Sequence, residues 1–331
     1  MNDNSHKSNY NPHKSLAIIA GEGELPHLIL RSRQAGVAGD RTLINDNLNN
    51  NLVDNFIIAI KGKTPENMVD GVEHQWFRFG AVGEMLAALH QRGITQLVLA
   101  GRISRPSLAS LFPDAKAREL LKMLGGGLLT GDNKLLSKVV QFLENNGIVV
   151  IGAHEICEAM LADAGVMTLQ QPQPQHDADA DLGAKLLHDI AKYDVGQAVV
   201  MANGMVVAIE GMEGTAELLH RSSLLIQHEI MQDVVIQSEI IQAKAIQGKA
   251  MQGEIVDAGA ILVKMPKFKQ ELRADMPAIG VETIHSLHKY GFAGAYLAAG
   301  KTLMLGKADI IALANQYGLF LCGIDKGNDN E

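Results

Sequence analysis

The chain has 331 residues, and at roughly 150 residues per domain that length supports about two domains, each with a core of its own. Hydrophobic residues make up 47 % and charged residues 20 %, the composition of an ordinary globular protein, so bulk disorder is excluded. A formal net charge of -8 supplies no basic field to release counterions from a nucleic-acid backbone, which argues against a nucleic-acid partner.

Residues 1–15 are polar, lack the apolar run of a signal peptide, and read as a disordered leader. From Leu16, short β-branched runs alternate with helical periods: LAIIAG (16–21), an apolar stripe to Ala35, NFIIAI (55–60), EMLAALHQRG (84–93) and QLVLAG (96–101). This alternation predicts an α/β chain whose N-terminal domain, 16–162, is a Rossmann-like parallel sheet built from βαβ units. After Gly131, Leu135, Leu136, Val139, Val140 and Leu143 share one face of a helix that Asn146-Gly147 stops. Asp132 reads as the N-cap of that helix, and IVVIG (148–152) returns as a strand.

Residues 163–180 carry Gln, Pro and Asp without a period and read as a linker. Beyond it, 181–331 reads as a C-terminal catalytic domain of α+β type with a mixed sheet. Leu182, Leu186, Leu187 and Ile190 mark a helix, and 198–210 forms two strands around the primed-turn pair Asn203-Gly204. A second hairpin of the same kind is expected around Gly300, over 294–305, followed by a helix at 309–317 and the strand LFLCGI. From Ile226 to Ile255 the chain repeats in pentads (IQHEI, MQDVV, IQSEI, IQAKA, IQGKA, MQGEI), a period that fits neither helix nor strand. That tract reads as an insertion, a solvated helix or a mobile loop, with no catalytic part.

Cys157 and Cys322 are far apart and lack CxxC spacing, which argues against a disulfide framework or a thiolate zinc site and fits a reducing cytoplasm. No uncharged apolar run approaches the ~18 residues of a membrane span. AGEGELP (20–26) lies where the first strand turns into the first helix, a place where backbone N–H groups can hold a phosphate. Gly21 and Gly23 permit close approach, but Pro26 stands where a dinucleotide fingerprint has its third glycine, and Glu22 and Glu24 would repel a phosphate. The turn reads equally as an anion site and as a plain glycine turn. Arg102, Ser104 and Arg105 follow QLVLAG at the carboxyl edge of the sheet, where two guanidiniums suit a pyrophosphate or form a surface turn fixed by Pro106.

In EGMEGT (210–215), Gly211, Gly214 and Thr215 offer donors to an anion, and Glu210 and Glu213 offer oxygen ligands to a divalent cation. The other reading has Thr215 as a helix cap and both glutamates in water. In ELRADMPAIG (271–280), Arg273 and Asp275 are two apart and are expected on one face of an extended strand. Such an arginine lowers the pKa of its neighbour, which makes Asp275 a metal ligand, or the pair is an ordinary intrastrand salt bridge. His285 and His288 share helical spacing only, and the sequence holds no HExxH, no GxSxG and no cysteine–histidine nucleophile context.

Taken in order, LAIIAGEGELP, LVLAGRISRPSL, PDAKARELL, GDNKLL, IGAHEI, DVGQAVVM, AIEGMEGTAELL, LVKMPKFKQELRADMPAIGVETI and YGLFLCGID resemble the motif blocks of the LpxI family from Leu16 to Asp325. The resemblance implies a two-domain, Mg²⁺-dependent hydrolase that cleaves the pyrophosphate of UDP-2,3-diacylglucosamine to UMP and 2,3-diacylglucosamine 1-phosphate in lipid A biosynthesis. It implies Asp275 as the catalytic aspartate, positioning the metal or the attacking water, and Asp275 is the first and Glu213 the second candidate metal ligand. Gly21, Gly23, Leu25, Pro26 and Arg102 fall on the nucleotide side, with Gly211, Gly214, Thr215, Lys264 and Arg273 around the pyrophosphate and metal. A diacylated substrate implies peripheral contact with the cytoplasmic face of the inner membrane, and the resemblance leaves room for a homo-oligomer. Ala274-Asp275-Met276-Pro277 stands where the family usually has Val-Asp-Leu-Pro, and the pentads and the stretch 41–75 lengthen the chain. Two other classes compete: a non-catalytic sugar-nucleotide-binding or regulatory protein on the same scaffold, and a dehydrogenase, which the missing third glycine weakens.

Overall fold

The structure is a computed structural model that describes residues 9–39, 55–103, 112–125, 132–227, 259–267 and 270–325. Ser104, Arg105 and the pentads beyond Gln227 lie outside the described residues. The chain is α/β and divides into two compact units: residues 1–160 with 270–276, and residues 161–269 with 277–331.

In the first unit, β1 (Leu16–Ala20), β2 (Asn55–Ile60), β3 (Glu73–Phe77), β4 (Gln96–Ala100) and β5 (Val149–Ile151) form one parallel sheet in the order β3-β2-β1-β4-β5. This is the strand order of doubly wound nucleotide-binding folds, which reverses between β1 and β4. The accompanying helices are α1 (Leu25–Gly39), α2 (Val82–Gln91), α3 (Ala115–Leu124), α4 (Asp132–Asn145) and α5 (Ala153–Ile156). Strand side chains alternate between faces. Ala17, Phe56, Ile58, Leu97 and Val150 share one core with Leu86 and Leu89 of α2 and Val140 and Leu143 of α4. Leu16, Ile18, Ile57, Val98 and Ile151 are equally buried on the other face. Burial on both faces is why these strands read as unbroken apolar runs.

Residues 9–15, the described part of the polar leader, are tied to this unit. Buried Arg33 donates to Asn55 Oδ1 (2.6 Å), Tyr10 Oη (2.9 Å) and the Lys14 carbonyl (2.9 Å), and Gln96 Nε2 donates to the Asn9 carbonyl (2.9 Å).

In the second unit a six-stranded sheet runs β6-β13-β11-β9-β7-β8. Its strands are β6 (Gly165–Val166), β7 (Ala198–Ala202), β8 (Met205–Ile209), β9 (Ile261–Lys264), β11 (Gly294–Ala298) and β13 (Phe320–Ile324). β9, β11 and β13 are parallel, while β6, β7 and β8 pair antiparallel, so the sheet is mixed. Among the described residues, helix α6 (Pro174–Ile190) covers one face through Ala180, Ala184 and Leu187. The other face carries α7, which begins at 215, α8 (Val281–Lys289) and α9 (Lys307–Tyr317), through Leu218, Leu219, Ile284, Leu287, Ile310 and Ala314. The β7–β8 turn has Asn203 at φ 50° and Gly204 at φ 81°, the left-handed pair that a primed turn requires.

Two expectations fail here for identifiable reasons. Helix α6 starts at Pro174, inside the stretch that reads as linker: proline has no N–H to lose in a first turn. The acids that suggest a linker are fixed instead, since Asp177 accepts the Tyr296 hydroxyl at 2.6 Å. Burial, reinforced by that carboxylate, pushes the Tyr296 phenol far up. The hairpin around Gly300 is absent: β11 pairs with β9 and β13, and β12 (Leu303–Met304) pairs instead with β10 (Ala278–Ile279) in a separate two-stranded parallel sheet. An interior strand with a parallel partner on each side has no edge left for its sequence neighbour.

Candidate functional site

Within the first unit the turns after β1 and β4 meet at the point where strand order reverses. Gly21 N–H donates to the Ala100 carbonyl (2.7 Å), and Glu22 and Arg102 exchange backbone hydrogen bonds at 2.9 Å in both directions. A Cβ at Gly21 would lie 2.5 Å from the Arg102 carbonyl oxygen, and one at Gly101 would lie 2.6 Å from that of Glu22. The glycine requirement at Gly21 is therefore set by the neighbouring turn, with no ligand needed to explain it. Gly101 adds a φ of 85°. Gly23, Leu25, Pro26 and the exposed side chain of Arg102 fall in the same turns, with Leu25 and Pro26 opening α1 and Pro26 buried.

The segment 270–276 belongs to this unit too, tied to α4 through Arg273 and Glu144 and packed on the core through Ala274. It is a turn and not the extended strand expected: the Ala274 and Asp275 N–H groups both donate to the Glu271 carbonyl at 3.0 Å. The turn redirects Arg273 away from Asp275. Its guanidinium grips Glu271 with Nε to Oε1 and Nη2 to Oε2, both 2.8 Å, and its Nη1 reaches Glu144 Oε1 at 2.6 Å. Asp275 accepts instead from the Gln270 side-chain amide at 2.7 Å. The arginine holds the Glu271 carboxyl below the usual carboxylate range despite partial burial, and those carboxylates hold the guanidinium proton more tightly than usual. Glu271, Glu144 and His154 of α5 have no sequence signal as a group, because each sits in a different local pattern.

In the second unit, EGMEGT and Lys264 converge at one end of the sheet. Lys264 closes β9, which is antiparallel to β7, so the start of β7 and the end of β8 lie at the same edge. Lys264 and Glu210 are buried. Lys264 Nζ donates to Thr215 Oγ1 (2.8 Å), Thr215 donates to Glu210 Oε1 (2.6 Å), and Glu210 Oε2 accepts the Gln197 N–H (2.8 Å). Thr215 is thus the bridge between a buried cation and a buried anion, more than a helix cap. Gly211 and Gly214 lie in the loop that leads into α7. Glu213 is exposed, and its Oε1 takes Arg221 Nη2 (2.9 Å), Arg221 Nε (3.1 Å) and the Gly211 N–H (3.2 Å). Backbone and arginine hydrogen bonds lower its pKa. Of the two expected metal ligands, Asp275 belongs to the first unit and Glu213 to the second. His285 and His288 are turned to Tyr317: one accepts or donates at its hydroxyl (3.0 Å), the other stacks on its ring at 3.9 Å.

Three measurements check these arrangements. Gly101→Ala should cost about 1–3 kcal/mol in urea unfolding, because it forces a left-handed residue against the facing carbonyl. Thr215→Val keeps the volume but strands buried polar groups, and the same assay should read a loss of about 1–3 kcal/mol. For Glu271 the folded pKa lies below the unfolded one, so its stabilisation is complete above roughly pH 4.3 and is lost as pH falls through the lowered value. Glu271→Gln should flatten that acid limb of the stability curve.

Comparison with known proteins agrees with both units. The LpxI N-terminal domain matches residues 15–160 and the LpxI C-terminal domain matches 163–322. A Caulobacter vibrioides protein named UDP-2,3-diacylglucosamine pyrophosphatase LpxI is 34 % identical over 246 residues, 74 % of this chain and 80 % of that protein. With its two halves matched in order, the chain belongs to the LpxI family.

Proposed function

We propose that this chain hydrolyses the pyrophosphate of UDP-2,3-diacylglucosamine to UMP and 2,3-diacylglucosamine 1-phosphate, as part of lipid A biosynthesis, with Asp275 at the reacting centre. The observation that carries the reading is family membership across both units, joined to a relative whose name states that activity. The side chains are consistent with an anionic substrate. Arg102 offers an exposed cation at the switch point of the first sheet, and Arg273 is held rigidly by two carboxylates next to Asp275. Lys264 contributes a preorganised ammonium whose position Thr215 fixes, with Gly211 and Gly214 in the loop that leads to Thr215. Within either unit, a fixed cation that faces a phosphate stabilises the charge that grows on its oxygens during cleavage.

Mg²⁺ belongs to this proposal. Among the described residues no group of three His, Cys, Asp or Glu side chains could cage a metal. Mg²⁺ is commonly held by one or two carboxylates together with substrate phosphates, and Asp275, oriented by the Gln270 amide, fits that shared mode. Asp275 is the carboxylate that would hold it; Glu213 is committed to Arg221 and is the weaker choice. When bound, the ion would neutralise charge on the phosphoryl oxygens. Asp275 itself orients the attacking water or accepts its proton. No described helix is long and apolar enough to cross a membrane, so contact with a lipid substrate's membrane is proposed as peripheral.

Incubation with UDP-2,3-diacylglucosamine and Mg²⁺ should release UMP, and EDTA should abolish the release. Asp275→Asn should lower kcat by at least ~10² with the fold intact by circular dichroism. Absence of UMP from the parent protein would overturn the assignment, and near-normal turnover of the variant would move the catalytic role elsewhere.

A further inference from the structure

The sequence leaves His154 unremarkable, a lone histidine in IGAHEI, but its surroundings in the first unit are specific. It is the second residue of α5, immediately after β5. Its ring folds back over Gly152, where an added Cβ would lie 2.2 Å from Cε1 and 2.5 Å from Nδ1. Gly152 has φ -74° and ψ 143°, a conformation open to any residue, so glycine is required there for the ring's space alone. Nδ1 is buried in that seat without a hydrogen-bond partner among the described residues. A proton on it would be a stranded donor, which costs more than a buried lone pair. The proton therefore sits on Nε2.

The charged groups around the ring are Glu155 and Glu271, which favour its cation, and Arg273, which opposes it; burial is the largest effect and pushes the imidazole's pKa down. His154 is neutral at pH 7 as a result. Glu155 is turned elsewhere, its two oxygens accepting the Gly152 N–H (2.7 Å) and the Asn9 N–H (3.2 Å). Glu271 is gripped by Arg273. No acceptor among the described residues takes the Nε2 proton.

We propose that His154 is a substrate-binding residue, a fixed Nε2–H donor to a phosphoryl oxygen of the sugar nucleotide, placed beside the segment that carries Asp275. The proposal rests on the pyrophosphatase reading above. It differs from a general-base role: a neutral imidazole whose Nδ1 is sealed and whose Nε2 is protonated has no accessible lone pair with which to take a proton from water.

The test compares His154→Phe, which keeps the ring and removes the donor, with His154→Gln, whose amide nitrogen can occupy the Nε2 position. Steady-state kinetics on UDP-2,3-diacylglucosamine with Mg²⁺ should show kcat/KM lowered roughly 10- to 100-fold in the phenylalanine variant, the size of a hydrogen bond to a charged group, and largely restored by glutamine. Nitrogen-15 NMR of the parent should show the Nε2–H tautomer at pH 7, with its resonance shifting on addition of UDP. Equal losses in both variants, no loss in either, or an Nδ1–H tautomer would overturn the proposal. An inactive parent overturns the pyrophosphatase reading and this proposal with it, whereas an active parent with an unimpaired phenylalanine variant overturns this proposal alone.

Discussion

Strands buried on both faces have no side chain to spare for chemistry. In the first unit every interior strand gives its even positions to one core and its odd positions to another, and in the second unit β9, β11 and β7 do the same between α6 and the helices of the opposite face. Polar function is thereby confined to strand ends and to the turns that follow. Where β1 and β4 part, two turns hold each other by backbone hydrogen bonds; where β9 ends, a buried lysine is balanced by a glutamate through one hydroxyl. Each arrangement is rigid because the sheet beneath it cannot shift without breaking two cores at once.

The same constraint decides what the sequence discloses. LAIIA, NFIIAI and QLVLA are legible because two-sided burial demands unbroken apolar residues. EHQWF is an edge strand with Glu73, His74 and Gln75 exposed, and it offers no such run. GAYLA is legible as a strand, yet its partners are not: an apolar run buried on both faces looks alike whether its next neighbour in sequence or a distant strand lies beside it. The start of α6 is obscured because its first turns bury Asp179 and hold Asp177 against Tyr296, so the acids suggest solvent where the fold supplies partners.

For the candidate site, the segments were legible and the pairings were not. RADMP announces its acid and its arginine, but spacing alone assumes an extended backbone, and a turn at Leu272–Ala274 hands Arg273 to Glu271 and Glu144. EGMEGT shows two carboxylates as equals. The structure separates them, one buried under a lysine and the other exposed under an arginine. Lys264 and Thr215 are 49 positions apart, and no local pattern could have joined them.

The assignment of 270–276 to the first unit makes that unit discontinuous in sequence. Ala274, half-buried, packs against the edge of that unit's hydrophobic core, and that contact waits for residue 274 during synthesis. From residue 160 to residue 270 is 110 positions, which at ~5–20 residues per second is about 5–20 s of translation. Over that interval the nascent first unit lacks the segment that pairs with Glu144 of α4, and the ribosome delivers most of the second unit before that segment emerges. Residues 1–160 can leave the ribosome long before the segment that completes their unit. A fragment ending at residue 160 therefore lacks the half-buried segment that packs on its own core.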